Sequence, residues 1–192
     1  MNIGKLMCAI FIPIGVVLFI VLMIYLIGNV YNGMSKRRNR AEHSWYELTK
    51  TLKRSFDLIP SVIQNVNMDK GDLEELKDIY SQYQKSELKT ASPKFIASLD
   101  QAYQETILRL MSPSYKNEKD ALEYVVENRK YLEFSIPLYN HNVRDYQRFK
   151  NMLINRTVAK MFKFNDIEEF VPDETHNNTT LDFRLGNFIK EK

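Results

Sequence analysis

The residue types best suited to catalysis are few and poorly spaced. The sequence has three histidines, His43, His141 and His176, and one cysteine, Cys8. A di-iron centre in a helical bundle takes Glu-x-x-His from two helices, because residues three apart share a helix face. No Glu-x-x-His occurs, and Asp173-Glu-Thr-His176 is the nearest approach to one. A single cysteine permits neither an intrachain disulfide nor a cysteine-based zinc site. The six glycines form no Gly-x-Gly-x-x-Gly and no Gly-x-x-x-x-Gly-Lys-Ser/Thr, so no phosphate cradle is expected. No spacing points to a serine or threonine paired with a histidine, and sequence alone leaves such a pairing open. The expectation is a protein that is not an enzyme, with no catalytic residues, no metal and no cofactor.

More informative are polar residues that interrupt apolar rows. Arg54 and Asp57 stand close to Pro60, Arg129 falls on an apolar row, and Asn140 and Asp145 lie near Pro137. If the helices carrying them pair in opposite directions, with residue numbers summing to about 197, Pro60 faces Pro137 and Asp57 faces Asn140. Two readings then stand. The polar groups are satisfied core residues that set helix register, or they form a polar recognition spot at a kinked waist.

The rows define the elements that must position these groups. Trp45, Leu48, Leu52, Phe56, Ile59, Ile63 and Val66 recur at steps of three and four, one face of a helix. Pro60 removes a backbone donor inside that helix, which predicts a kink and not a stop. Asp69-Lys-Gly-Asp72 reads as a turn, with Asp72 as the expected N-cap. Two shorter rows follow, Leu73–Tyr83 and Ile96–Leu110. They are bounded by Thr90-Ala-Ser-Pro93 and Ser112-Pro-Ser114. A last row runs from Leu122 to Leu153 through Arg129, Tyr139, Val143 and Tyr146, with Pro137 as a second expected kink. The two long helices, about 29–66 and 118–157, would each span about 57–60 Å at 1.5 Å per residue. No alternating strand pattern and no internal repeat is present. The expected fold is all-α: an N-terminal transmembrane helix continuing into an elongated antiparallel four-helix bundle. The segment Met161–Phe170 is expected to end near the lipid surface, where Phe162, Phe164, Ile167 and Phe170 close the bundle base or touch lipid; Asp166, Glu168 and Glu169 would be repelled by anionic head groups and favour the base. Asn155-Arg-Thr matches a glycosylation tripeptide, which matters only in a eukaryotic lumen.

Charge is distributed unevenly. Of 27 Lys+Arg and 24 Asp+Glu, only Lys5 precedes Lys36. Leu6–Ile27 offers 22 mostly apolar residues, and a bilayer core needs about 20 in a helix. A cleaved signal peptide would have a shorter apolar core and a small-residue cleavage site, neither of which occurs here. The stretch reads as a retained anchor. Behind it stand Lys36, Arg37, Arg38 and Arg40, against Lys5 and the amino group in front. The positive-inside rule puts the larger cluster, and the domain, in the cytoplasm, with the N-terminus outside. The basic cluster sets topology or touches anionic head groups. The polar remainder is nearly neutral, which disfavours nucleic acid as a partner. The organisation expected is an anchor over 1–28, a helical bundle over 29–171 and a flexible tail over 172–192.

These residues together resemble the LemA family, bacterial membrane-anchored helical-bundle proteins. Tyr31-Asn32 follows the anchor, and Trp45 stands where the family has a tryptophan. Arg54, Asp57, Leu58, Ile59 and Pro60 match its Arg-x-x-Asp-Leu-Ile-Pro signature. Asn128-Arg129, Tyr139-Asn140, Val143, Asp145 and Tyr146 match a later helical segment, and Val158-Ala159 with Phe162-Lys-Phe164 matches Val-Ala-x-x-Phe-Gly-Phe. Four positions depart from the pattern. Ser55 replaces a second arginine, Ser61 an asparagine, Leu153-Ile154 a Phe-Pro pair, and Lys163 the glycine. The lost Phe-Pro pair suggests a longer last helix. The resemblance implies one N-terminal membrane helix, a short extracytoplasmic N-terminus and an antiparallel bundle. It implies no reaction.

The expected function is that of a membrane-anchored interaction or scaffold protein. The alternative is an envelope-associated sensor that couples an event in the bundle to the anchor. Trp45, Arg54, Asp57, Pro60, Arg129, Tyr139, Asn140 and Tyr146 are the candidate interaction residues, and Lys36, Arg37, Arg38 and Arg40 the membrane-flanking ones. Membrane lipid and a protein partner or second copy are expected; no small-molecule substrate is indicated.

Overall fold

An uncharged apolar run followed by a three-four seam specifies one helix without a break between them. In the computed structural model, which describes residues 3–112 and 119–171, α1 spans Ile3–Asp57. Five further helices follow among the described residues: α2 (Ile59–Asn65), α3 (Lys70–Lys85), α4 (Pro93–Leu110), α5 (Lys119–Lys150) and α6 (Leu153–Met161). No strand occurs among them. The tail expected over 172–192, with His176, lies outside the described residues, as does most of the Ser112-Pro-Ser114 turn. The N-terminal part of α1 is long and apolar enough to cross a membrane. Its side chains from Ile14 to Leu26 are exposed.

Pro60 acts differently from the expectation. The helix does not kink through it. It stops at Asp57, and α2 restarts after Leu58, with Pro60 in its first turn. A proline has no N–H to give the preceding turn, and the first turn of a new helix is where that loss is harmless. The Leu58 amide turns back to the Ser55 carbonyl at 3.2 Å, and the Val62 amide reaches Leu58 at 3.0 Å. This tighter step shifts the seam. Val62 is fully buried, whereas Ile63, expected inward, is half-buried. Pro137, by contrast, sits exposed within α5, which continues through it.

Two other boundaries differ. Asp69, not Asp72, caps α3, accepting the Asp72 amide at 2.8 Å. Asp72 turns inward and is buried. The single helix expected over 118–157 is two, divided at Asn151-Met152. Asn155 is buried and donates its side-chain amide at 2.7 Å to the Phe149 carbonyl, which also accepts the Met152 amide at 3.4 Å. That burial also removes Asn155 as a glycosylation acceptor.

The chain gathers into two compact units. One contains the described residues up to Arg40 together with Asp145–Asp166. Its small core holds Met34, Val158 and Ala159, flanked by Ile27, Val30, Phe149 and Phe164. The other contains Ala41–Arg144 and the described residues from Ile167. Its core is larger, built on Leu48, Leu52, Phe56, Ile59, Leu76, Ile96, Tyr103, Leu132, Tyr139 and Val143, with Phe170 added from the C-terminal strap.

Candidate functional site

In the larger unit, the expected 197 register does not form. Trp45 packs against Tyr139, ring centroids 5.2 Å apart, and the Asn128 amide donates to the Thr51 carbonyl at 3.4 Å. As α1 advances from Trp45 to Thr51, its partners on α5 step back from Tyr139 to Asn128. These pairs total 184 and 179, about four turns from the expected match. Apolar rows repeat every turn, so their spacing leaves the slide of one helix along another open. Asp57 therefore does not face Asn140, and Pro60 does not face Pro137.

Each polar residue has a different neighbour instead. The exposed Asp57 carboxylate accepts the Tyr83 hydroxyl of α3 at 2.8 Å, with Lys53 at 3.9 Å. Burial, and then the Asp57 contact, raise the pKa of Tyr83 well above its ordinary value. Arg54 is exposed on the adjacent turn. Asn140 is buried and holds the backbone of Phe170 on both sides, donating to its carbonyl at 2.9 Å and accepting its amide at 2.8 Å. The Tyr139 hydroxyl donates to the Glu168 carbonyl at 2.7 Å. Arg144 pairs with Glu169 at 3.2 Å, and Ser92 donates to Glu168 at 2.6 Å. These contacts bind Ile167–Phe170 along α5, and Phe170 then reaches Trp45 at 6.3 Å. The Trp45 indole N–H closes the cluster on the Lys89 carbonyl at 3.4 Å. Tyr139-Asn140 is thus a clasp for this non-helical strap, a role that hides in sequence because its partners are backbone atoms.

Arg129 makes the most buried ion pair. Its Nη1 lies 2.8 Å from Asp100 of α4, and the two side chains are 11% and 3% exposed. Gln104 donates to the same Asp100 oxygen at 2.6 Å. The other Asp100 oxygen, Arg129 Nε and the Tyr103 hydroxyl are buried without hydrogen-bond partners. They line a cavity with Ser55, Gln104, Ile107, Val125 and Val126 that leaves about 20 Å³ for the centre of a water molecule. That volume suits one water-sized group. Burial, then the charge of Asp100, push the Tyr103 pKa far up. Asp100 escaped the sequence reading, and Tyr103 is read there only as a member of the Ile96–Leu110 apolar row. Asp100 lies four residues after Ile96 and three before Tyr103, beside the apolar row, but its pairing depends on which face of α4 meets α5. Asp72 is a second case, paired with Arg109 at 2.9 Å, with Glu75 on the same guanidinium. Partial burial works to lower the Arg109 pKa, but the two carboxylates outweigh it and raise it.

In the smaller unit, two of the four basic residues after the apolar run are engaged by Asp145. Arg37 Nε lies 3.2 Å from it and Arg40 3.4 Å. The Arg37 Nε contact is an ion pair without a hydrogen bond. Arg37 also donates to the Gly33 carbonyl at 3.2 Å and lies over the Phe149 ring at 3.9 Å. Lys36 is exposed. Tyr146 is fully buried and donates to the Asn165 carbonyl at 2.7 Å, beside the Lys150–Asp166 pair.

Lys163 ends α6 with φ of 55°. Phe164 donates back to Ala159 at 2.9 Å and Lys163 to Lys160 at 3.3 Å, the paired bonds of a Schellman cap. The helix ends where the resembled family has glycine, the residue that takes this backbone conformation without steric cost. Phe162 and Phe164 meet Tyr31 edge-on at 4.9 and 5.5 Å.

Among the described residues, no cluster of three or more His, Cys, Asp or Glu is arranged to hold a metal ion. Compared with models of known protein families and with curated proteins, the chain matches none.

Proposed function

We propose that this protein is a LemA-like, membrane-anchored interaction or scaffold protein that is not an enzyme. α1 is the single anchor, the residues before its apolar run face outside, and the helical remainder faces the cytoplasm as an antiparallel four-helix bundle. The observation that carries this reading is α1 itself, which joins an exposed apolar segment to a seam buried in a folded core. The opposed stepping of α1 and α5 contacts supports the antiparallel arrangement. The buried pairing of Arg129, and of Asn140 with Phe170, supports a structural role for most of the motif residues. Arg54 and Asp57 are the exposed charged motif positions, and Asp57 already accepts the Tyr83 hydroxyl. Lysine-reactive crosslinking on intact membranes, followed by extraction in mild detergent, tests the reading. A stoichiometric partner or a defined oligomer is expected. Recovery of monomer alone would contradict it.

A sensor is the second reading. It is favoured by the one-residue break at Leu58, next to the Asp57–Tyr83 link between α1 and α3. Asp57→Ala would then alter signalling output while helical circular dichroism stays intact. Loss of that dichroism would return Asp57 to a structural role.

A further inference from the structure

We propose that α6 is an in-plane membrane helix, seated in the head-group region of an anionic bilayer beside the point where α1 leaves it. The inference rests on the anchored reading of α1 and adds a second, independent lipid contact. α6 has three faces. Asn155, Val158 and Ala159 point into the core of the smaller unit. Leu153, Ile154 and Met161 are 92%, 72% and 57% exposed, with Met152 just before them at 51%. Arg156 and Lys160 form a third, exposed edge. Apolar and basic faces side by side on a short helix of little overall hydrophobicity are the pattern of an interfacial helix.

Position selects lipid over another protein as the occupant. The core that receives α6 is supplied by Ile27, Val30 and Met34 of α1. Those residues begin where the apolar run Leu6–Ile27 ends. At about 1.5 Å per residue they cover roughly the next 5–10 Å of the helix, which is the level of the head-group layer outside the hydrocarbon core. Tyr31, 40% exposed and in edge contact with Phe162, fits the aromatic belt at that level. Charge agrees. Between Asp145 and Asp166 there are five basic residues and no acidic one. Both flanking aspartates are engaged, Asp145 by Arg37 and Arg40 and Asp166 by Lys150. Arg148, Arg156, Lys160 and Lys163 remain exposed for anionic head groups.

The test uses the full chain with Cys8→Ser, reconstituted in vesicles of phosphatidylcholine with or without phosphatidylglycerol. Single cysteines at Leu153→Cys, Ile154→Cys and, as a control on the larger unit, Tyr131→Cys carry spin labels. Flotation with the vesicles is read first, and a chain that fails to float overturns both the anchor and this inference. In a chain that floats, labels at 153 and 154 are expected to show several-fold higher oxygen-to-nickel accessibility than the label at 131. Phosphatidylglycerol should increase the difference, and Arg156→Gln with Lys160→Gln should reduce it. Equal aqueous accessibility at all three sites would overturn the inference while leaving the anchor standing. Spin–spin broadening at 153 without lipid accessibility would overturn it in favour of a second copy on this face.

Discussion

The side-chain amide of Asn140 grips the backbone of Phe170 with two hydrogen bonds, at 2.9 and 2.8 Å, both buried. This grip makes the strap after α6 part of the larger unit's core. Asn140→Ala should leave both Phe170 backbone groups unpaired, at about 1–3 kcal/mol for each group. Urea unfolding of the detergent-solubilised chain would measure the loss. Hydrogen exchange should show the Phe170 amide losing its protection while the amides of α3 keep theirs. A stability change within a few tenths of a kcal/mol would mean that the strap is held elsewhere.

The Arg129–Asp100 pair should behave as a buried unit. Arg129→Met alone strands a carboxylate that is 3% exposed, and breaking such a pair costs about 3–5 kcal/mol. Arg129→Met with Asp100→Leu should recover much of that loss, because the pair's own desolvation cost disappears with it. Thermal melts of the two single variants and the double variant would show this non-additivity. Additive losses would point to separate roles, with Arg129 then open to reading as a recognition residue.

Lys163 occupies a left-handed backbone conformation at φ 55°. Lys163→Gly should stabilise the α6 cap by about 1 kcal/mol, the usual steric cost of a side chain there, less glycine's extra freedom when unfolded. The readout is the unfolding midpoint of the solubilised chain, which should rise. A fall would mean that the lysine side chain makes a compensating contact.

Alkaline pH should unfold the larger unit early. Tyr103 and Tyr139 are raised in the folded chain mainly by burial, with Asp100 adding to the first and Glu168 and Glu169 to the second. A folded-state pKa above the unfolded one keeps the proton bound in the native state while the unfolded chain releases it. The stability from these hydroxyls is therefore whole below the unfolded value of about 10 and falls as pH climbs beyond it. Denaturant titrations from pH 8 to 11.5 would follow the decline. Tyr103→Phe should flatten part of it and cost little at neutral pH, since no protein group hydrogen-bonds the hydroxyl.

Some of this architecture was legible from residue spacing, and the limits have physical causes. Three-four rows locate α1 and α3–α5, because periodicity reports which face of a helix is apolar. The same rows repeat along the helix, so they left the register of α1 against α5 open, and the expected match of Asp57 with Asn140 failed. Pro60 was read as a kink because a proline disturbs the turn before it, yet one residue, Leu58, suffices to restart the helix. The division at Asn151-Met152 had no proline or glycine to mark it; a buried Asn155 turned to Phe149 accounts for it. Of the motif positions, Arg129 was legible as a polar residue on an apolar row. Its partner Asp100 required knowledge of which face of α4 meets α5. The clasp of Tyr139 and Asn140 was illegible, since both bond to backbone atoms that any residue would supply.

The central claim is that α1 anchors the chain once and holds its helical remainder on the cytoplasmic side. A fluorescent reporter fused at the C-terminus, read in cells whose membranes are also extracted with alkaline carbonate, tests it most directly. The account predicts a fluorescent fusion that stays in the carbonate-resistant pellet and is shielded from protease added outside intact cells. Release into the supernatant would contradict the anchor, and protease access to the reporter from outside would contradict the orientation.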